Sequence, residues 1–113
     1  MVIHTTGQAT LTTEIAQLFS TGQYGDDGTL ESQSDSGLIS PLVDTSKPLT
    51  GVVTGNNMQF IHDLESNEAN GDDLREFGLF LNGDNVNRVT TTLVEKDERK
   101  EITTFSLWSI RYN

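Results

Sequence analysis

The chain of 113 residues has no cysteine, so disulfides, thiolate nucleophiles, zinc knuckles and iron–sulfur clusters are all excluded. It has only two prolines, and aromatic residues make up 7 % of it. No lysine or arginine precedes Lys47, and 17 acidic side chains against 7 basic ones leave a net charge of −10. Phosphate backbones and anionic lipid surfaces attract Lys and Arg patches, which argues against nucleic acid or a membrane surface as the main partner. Only three of the seven cations are lysines, a balance that also suits a high-salt environment. Long apolar runs are missing as well. The longest, Phe77-Gly78-Leu79-Phe80-Leu81, is far short of the roughly 20 residues of a membrane helix, and Met1-Val2-Ile3-His4 lacks the basic and apolar regions of a signal peptide.

Leu, Ile, Val and Phe account for 30 residues, above the fifth of a sequence below which strongly charged chains stay disordered. A single folded domain over residues 1–113 follows from the length. The hydrophobic fraction of 34 % is low for a small domain, and contact with partners is expected to complete the core.

Leu11, Ile15, Leu18 and Phe19 form one apolar stripe at helical spacing and predict a helix over about residues 7–20. Thr5 with Gln8 reads as a capping box, Gly22 as the left-handed residue at the end, and the threonines at 10, 12 and 13 oppose helix. Residues 21–37 are Gly, Asp, Ser, Gln and Thr with only Tyr24 and Leu30 large and apolar, which predicts a long polar loop that either binds something or lies on a neighbour.

From about residue 50 to 113 the pattern turns to short strands. Thr50 to Val53, a turn over Thr54-Gly55-Asn56-Asn57, and Met58 to His62 read as one hairpin. Phe77 to Leu81, Asn82-Gly83 and Val86 to Val94 read as another. Glu95 to Lys100 has the polarity of an exposed turn. In the last strand Ile102, Trp108, Ile110 and Tyr112 share one face and Phe105 and Leu107 the other, so cover on both faces is expected. The resulting fold class is mainly β, an antiparallel β-sandwich-like domain with one N-terminal helix.

No catalytic, cofactor-binding or metal-ligating residue is assigned. No nucleophile elbow, phosphate loop, dinucleotide fingerprint or zinc-protease helix is present. His4 and His62 are the only histidines. His62, Asp63 and Glu65 form an acid–base cluster only if the strand bends, because neighbouring strand residues point to opposite faces. Asp26-Asp27, Asp72-Asp73 and Asp84 with Asn85 and Asn87 offer oxygen ligands without the EF-hand spacing and read as solvated turns, with calcium at a subunit interface as the alternative. Gly78 suits close approach of another backbone or a large ring, with Trp108 as partner. Glu76, between apolar neighbours, reads as a half-buried carboxylate that needs Arg75 or Arg88, or else as a solvent-facing charge.

The stretch Glu68-Ala69-Asn70-Gly71 … Leu74-Arg75-Glu76-Phe77-Gly78-Leu79-Phe80, followed by Arg88-Val89, Lys96, Glu101-Ile102-Thr103, Trp108, Ile110 and Tyr112, resembles a signature of small tail-fibre or tail-collar structural proteins of tailed phages and related prokaryotic viruses. The match in order and spacing runs over residues 58–113. Residues 1–57 are similar only in layout, with Gly37-Leu38 and Pro41-Leu42 at corresponding places. The resemblance implies a non-enzymatic virion protein of the tail, baseplate or fibre-attachment region, self-associated as a homotrimer and docked on other virion proteins, with haloarchaeal viruses among the possible sources. A capsid decoration or head-vertex protein and a cellular β-sandwich binding module are the alternatives.

Overall fold

The computed structural model describes residues 4–111. Strand far outweighs helix, and the strands form two antiparallel sheets that share one core. Helix α1 (Thr5–Leu18) runs directly into β1 (Phe19–Gly25), and β2 (Lys47–Pro48) pairs with β1 at Thr21 and Gly22. The chain then crosses to the second sheet for β3 (Thr50–Thr54) and β4 (Asn57–Leu64), returns for β5 (Asp73–Leu81), β6 (Asp84–Asn85) and β7 (Val89–Glu95), and ends on β8 (Ile102–Ser109) beside β4. One sheet has β1 and β5 at its centre, β2 outside β1, and β6 and β7 along the far edge of β5. The other has the order β3-β4-β8.

The first predicted hairpin forms, and the second forms in part. Gly55, at φ 58°, closes β3 on β4, and Asn82 and Gly83, at φ 50° and 89°, turn β5 into β6. The second hairpin is interrupted at residues 86–88, and β7 resumes pairing further down β5 with a register shift between Leu74 and Glu76. Between the sheets lie Phe60, Leu64, Leu74, Phe77 and Leu79, with Phe19 packed against Phe60 and Trp108 at ring centroid distances of 4.5 and 5.4 Å.

The helix departs from its predicted stripe. Its buried positions are Thr12 and Ala16, with Ile15 and Phe19 partly covered, whereas Leu11 and Leu18 remain over 40 % exposed. The threonines are accommodated because their hydroxyls donate back to carbonyls four residues earlier, Thr12 to Gln8 at 2.8 Å and Thr13 to Ala9 at 2.9 Å. There is no capping box. His4 occupies the N-cap without a side-chain bond, Thr5 is already helical, and the helix ends in extended backbone at Phe19 rather than at Gly22.

The predicted loop 21–37 is displaced. Residues 21–25 belong to β1, and the irregular segment runs from Asp26 to Leu42 instead. The low β propensity of Thr-Gly-Gln-Tyr-Gly yields to pairing on both sides, with β5 and with β2. Glycine is needed there for space: a Cβ on Gly22 would stand 2.8 Å from the Phe77 ring. In β8, Ile102 and Trp108 pack on the core, while Phe105 and Leu107 are 58 % and 77 % exposed. The cover expected on the second face is therefore not supplied by the described part of the chain. Tyr112 lies outside the described residues.

Candidate functional site

On β5, Phe77 and Leu79 point into the sandwich, so the alternating positions Glu76 and Gly78 point the other way, beneath the segment 26–42. Glu76 is completely buried there and its charge is fully used. Arg88 Nε donates to its Oε1 at 2.8 Å, Ile39 N to Oε1 at 2.8 Å, and Ser40 N and Asp27 N to Oε2 at 2.9 and 3.1 Å. Arg88, itself buried, also donates to the carbonyls of Thr29 and Asp27 at 2.7 and 3.3 Å and pairs with Asp35 at 3.4 Å. Burial alone would push the Glu76 carboxyl up, but the Arg88 guanidinium and the three backbone N–H groups outweigh it and hold the pKa below the usual carboxylate range. Of the two expected partners, Arg88 is the one engaged. Arg75 lies 3.9 Å from Asp73 at the surface.

This pair fastens the polar segment to the sheet. Two glycines make room: a Cβ on Gly25 would meet the Glu76 carboxylate at 2.5 Å, and one on Gly78 would meet Asn85 Nδ2 at 2.5 Å and the Asn87 carbonyl at 2.7 Å. Close approach at Gly78 is found, but Asn85, Asn87 and Leu38 make it in place of the expected Trp108. Trp108 packs in the other sheet, on the far side of β5, because Gly78 faces away from the shared core.

A cleft of about 410 Å³ opens beside Arg88, lined in part by Glu31, Asp35, Asn85 and Asn87. Several of its polar groups are already committed. Glu31 accepts from Thr90 N and Oγ1, Asp35 from Ser32 N, Asn87 Oδ1 from Leu79 N, and Asn85 donates to the Leu79 carbonyl. The Asp84, Asn85, Asn87 group is thus a hairpin brace.

A second buried cation lies at the other end of β7. Lys96 was expected in an exposed turn and is 1 % exposed. Its Nζ donates to Asn70 Oδ1 at 2.9 Å and to the Asp97 carbonyl at 3.0 Å, with the Ser66 carbonyl at 3.4 Å, while its backbone exchanges bonds with Gly71 and Asp72. Ala69 at φ 56° and Gly71 at φ 92° give the 66–72 loop the curl that wraps this ammonium. Charge clustering in the sequence reads as solvation, and only the distant Glu-Ala-Asn-Gly loop supplies the burial.

His62, Asp63 and Glu65 do not converge. His62 is buried against Tyr24 and Phe77, with ring centroids 5.5 and 5.2 Å away, and its Nε2–H donates to the Thr45 carbonyl at 2.8 Å. Nδ1 is buried and has no hydrogen-bond partner among the described residues, and burial lowers the pKa of the ring. Asp63 faces outward and accepts from Thr103 at 2.8 Å. Glu65 is exposed, and its backbone N–H donates to Glu68. His4 is exposed at the start of α1.

The predicted acidic dipeptides are split. Asp27 joins the Arg88 cluster, whereas Asp26 and Asp73 lie near Asp72 and Asp44. Burial, the adjoining Asp44 side chain and the neighbouring carboxylates push Asp72 up to about 6. Among the described residues no three His, Asp or Glu side chains are placed to hold a metal ion, and no helix is long and apolar enough to cross a membrane.

The remaining feature is the outer face of the β3-β4-β8 sheet. The register aligns Thr50, Ile61 and Phe105 in one row and Val52, Gln59 and Leu107 in the next, giving an apolar strip open to solvent. Most of the charge of the chain lies elsewhere. No protein-family model, no curated protein and no solved structure matches the chain.

Proposed function

We propose that the chain is a non-enzymatic structural protein of a virion, placed in the tail, baseplate or fibre-attachment region of a tailed phage or related prokaryotic virus, and that it works by associating with copies of itself and docking on other virion proteins. The observation that carries this reading is where the residues of the viral-type signature lie. Glu76 and Arg88 are buried as a clamp that fixes residues 26–42, and Lys96 is buried by the Glu-Ala-Asn-Gly loop. The signature therefore encodes architecture, and its charged groups are spent on holding loops rather than presented to a substrate.

The exposed strip on β3-β4-β8 adds a place for contact. The resemblance implies a threefold assembly, and the host receptor is left open by it. The test is electron microscopy of purified particles with the chain carrying a small visible tag. Density of the tag on the tail, baseplate or fibre base supports the proposal. Tag on the capsid surface transfers the protein to the decoration class, and its absence from particles overturns the virion reading.

A further inference from the structure

The sheets leave several edges, and all but one are guarded. β2 is two residues long and consists of Lys47 and Pro48. β3 is only five residues long, and α1 packs against it. β7 carries a register shift in its pairing with β5, and Glu31 caps the N–H and hydroxyl of Thr90. β8 is different. Its eight residues contain no charge and no proline, it pairs with β4 without a shift, and among the described residues no strand lies on its other side. Natural sheets blunt such edges with lysine, proline, bulges or cover, and β8 has none of these.

The pairing pattern fixes which groups the edge presents. Ile110 N donates to the Asn56 carbonyl, so the even-numbered residues of β8 direct their backbone groups to β4. Thr103, Phe105, Leu107 and Ser109 therefore direct theirs to the open side, and the same four carry their side chains on the outer face.

We infer that β8 pairs antiparallel with β8 of a second copy about a twofold axis, joining two three-stranded sheets into one of six strands. The inference rests on the proposed self-association and names the surface that carries it. A second copy fits this edge because the strand is complementary to itself. With Ser106 on the axis, Phe105 lies opposite Leu107 of the other copy and Thr103 opposite Ser109, and each is a residue whose N–H and carbonyl are free to exchange bonds.

Charge favours the same occupant. Two chains of −10 repel over most of their surfaces, but along β3, β4 and β8 the outward positions carry a single charge, Asp63, at one end of the sheet. The paired edge is about 27 Å long, and with Phe105 and Leu107 covered the contact is on the order of 1,000 Å², the lower bound for a specific interface. The pair is accordingly concentration dependent. Beside a threefold assembly it would link trimers in twos.

Sedimentation of the purified full chain at intermediate salt, over a range of concentrations, tests this with three variants. Wild type should reach twice the mass of Phe105→Glu/Leu107→Glu, in which like charges face each other across the axis. Phe105→Lys/Leu107→Glu places opposite charges there and should restore the larger mass. Ser106→Cys, the only thiol in the chain, should form an intermolecular disulfide on mild oxidation. These positions lie on the sheet edge, and unchanged circular dichroism serves as the control for folding. Equal mass for wild type and both charge variants, with no Ser106→Cys cross-link, overturns the pairing. A chain paired in solution but absent from particles would sink the virion reading and leave the pairing standing, whereas a chain found in particles with no pairing would do the reverse.

Discussion

A fully buried Glu76 is tolerated because four donors converge on it, and the same four tie three separated stretches of chain together. Replacing it by glutamine removes the charge that Arg88 balances and turns one acceptor into a donor facing backbone N–H groups. We expect Glu76→Gln to lose about 3–5 kcal/mol in chemical denaturation, the cost of an uncompensated buried cation, and to open residues 26–42 to limited proteolysis. The carboxylate was legible in the sequence only in part: its apolar neighbours suggest a half-buried charge needing Arg75 or Arg88, but a solvent-facing charge on an ordinary hairpin fits the same residues. Its donors from residues 27, 39 and 40 were not, since nothing local in a polar segment says what it lies on.

His62 and Asp72, two of the side chains with altered pKa, pull stability in opposite directions. His62 has its pKa lowered by burial, so unfolding takes up a proton and stability falls as pH drops below the unfolded value of about 6.5. Asp72 is raised to about 6, so its contribution is fully present below the unfolded value near 3.8 and is lost as pH rises through 6. Asp72→Asn should therefore stabilise the protein at pH 7 by about 1–2 kcal/mol after allowance for solvent screening, and leave stability at pH 4 nearly unchanged. Thermal denaturation at the two pH values checks both halves of this. An equal shift at each would show that Asp72 does not ionise at a cost.

At the scale of elements, local pattern was enough for the β3-β4 hairpin and for the Asn82-Gly83 turn, but not for the partner of β7, which pairs with residues 73–77 rather than 77–81. It was not enough for β1, whose glycines and polar residues look like loop and are strand only because β5 and β2 flank them. Helix α1 failed in a different way. Leu11 and Leu18 drew the stripe, yet the face that packs is set by β3 and β1 and takes the smaller Thr12 and Ala16. The β7–β8 connection hides its role in the same fashion, because Lys96 is the peg for a loop 26 residues away. Lys96→Met keeps the stem and removes the three donated bonds. It should cost about 1–3 kcal/mol and speed hydrogen exchange over residues 66–72 while β1 and β5 stay protected. Uniform loss of protection across both sheets would mean that the loop is not a separate unit.

For the whole molecule, the segment 26–42 no longer argues for a partner, since it packs on its own sheet through Glu76 and Arg88. What argues for one is the finished interior beside an unfinished exterior: Phe105 and Leu107 exposed on an uncharged sheet in a chain of −10. Repulsion between copies acts at long range and apolar cover acts on contact, so salt separates them. Near 1 M the Debye length is about 3 Å, and most of the repulsion is gone while the apolar contact is unaffected or strengthened. Association through charge pairs would respond the other way. The most direct measurement is the mass of the purified chain by light scattering from low to high salt. An account in which the protein acts by assembly through this neutral face predicts a mass that rises with salt, and a monomer at every salt concentration would contradict it.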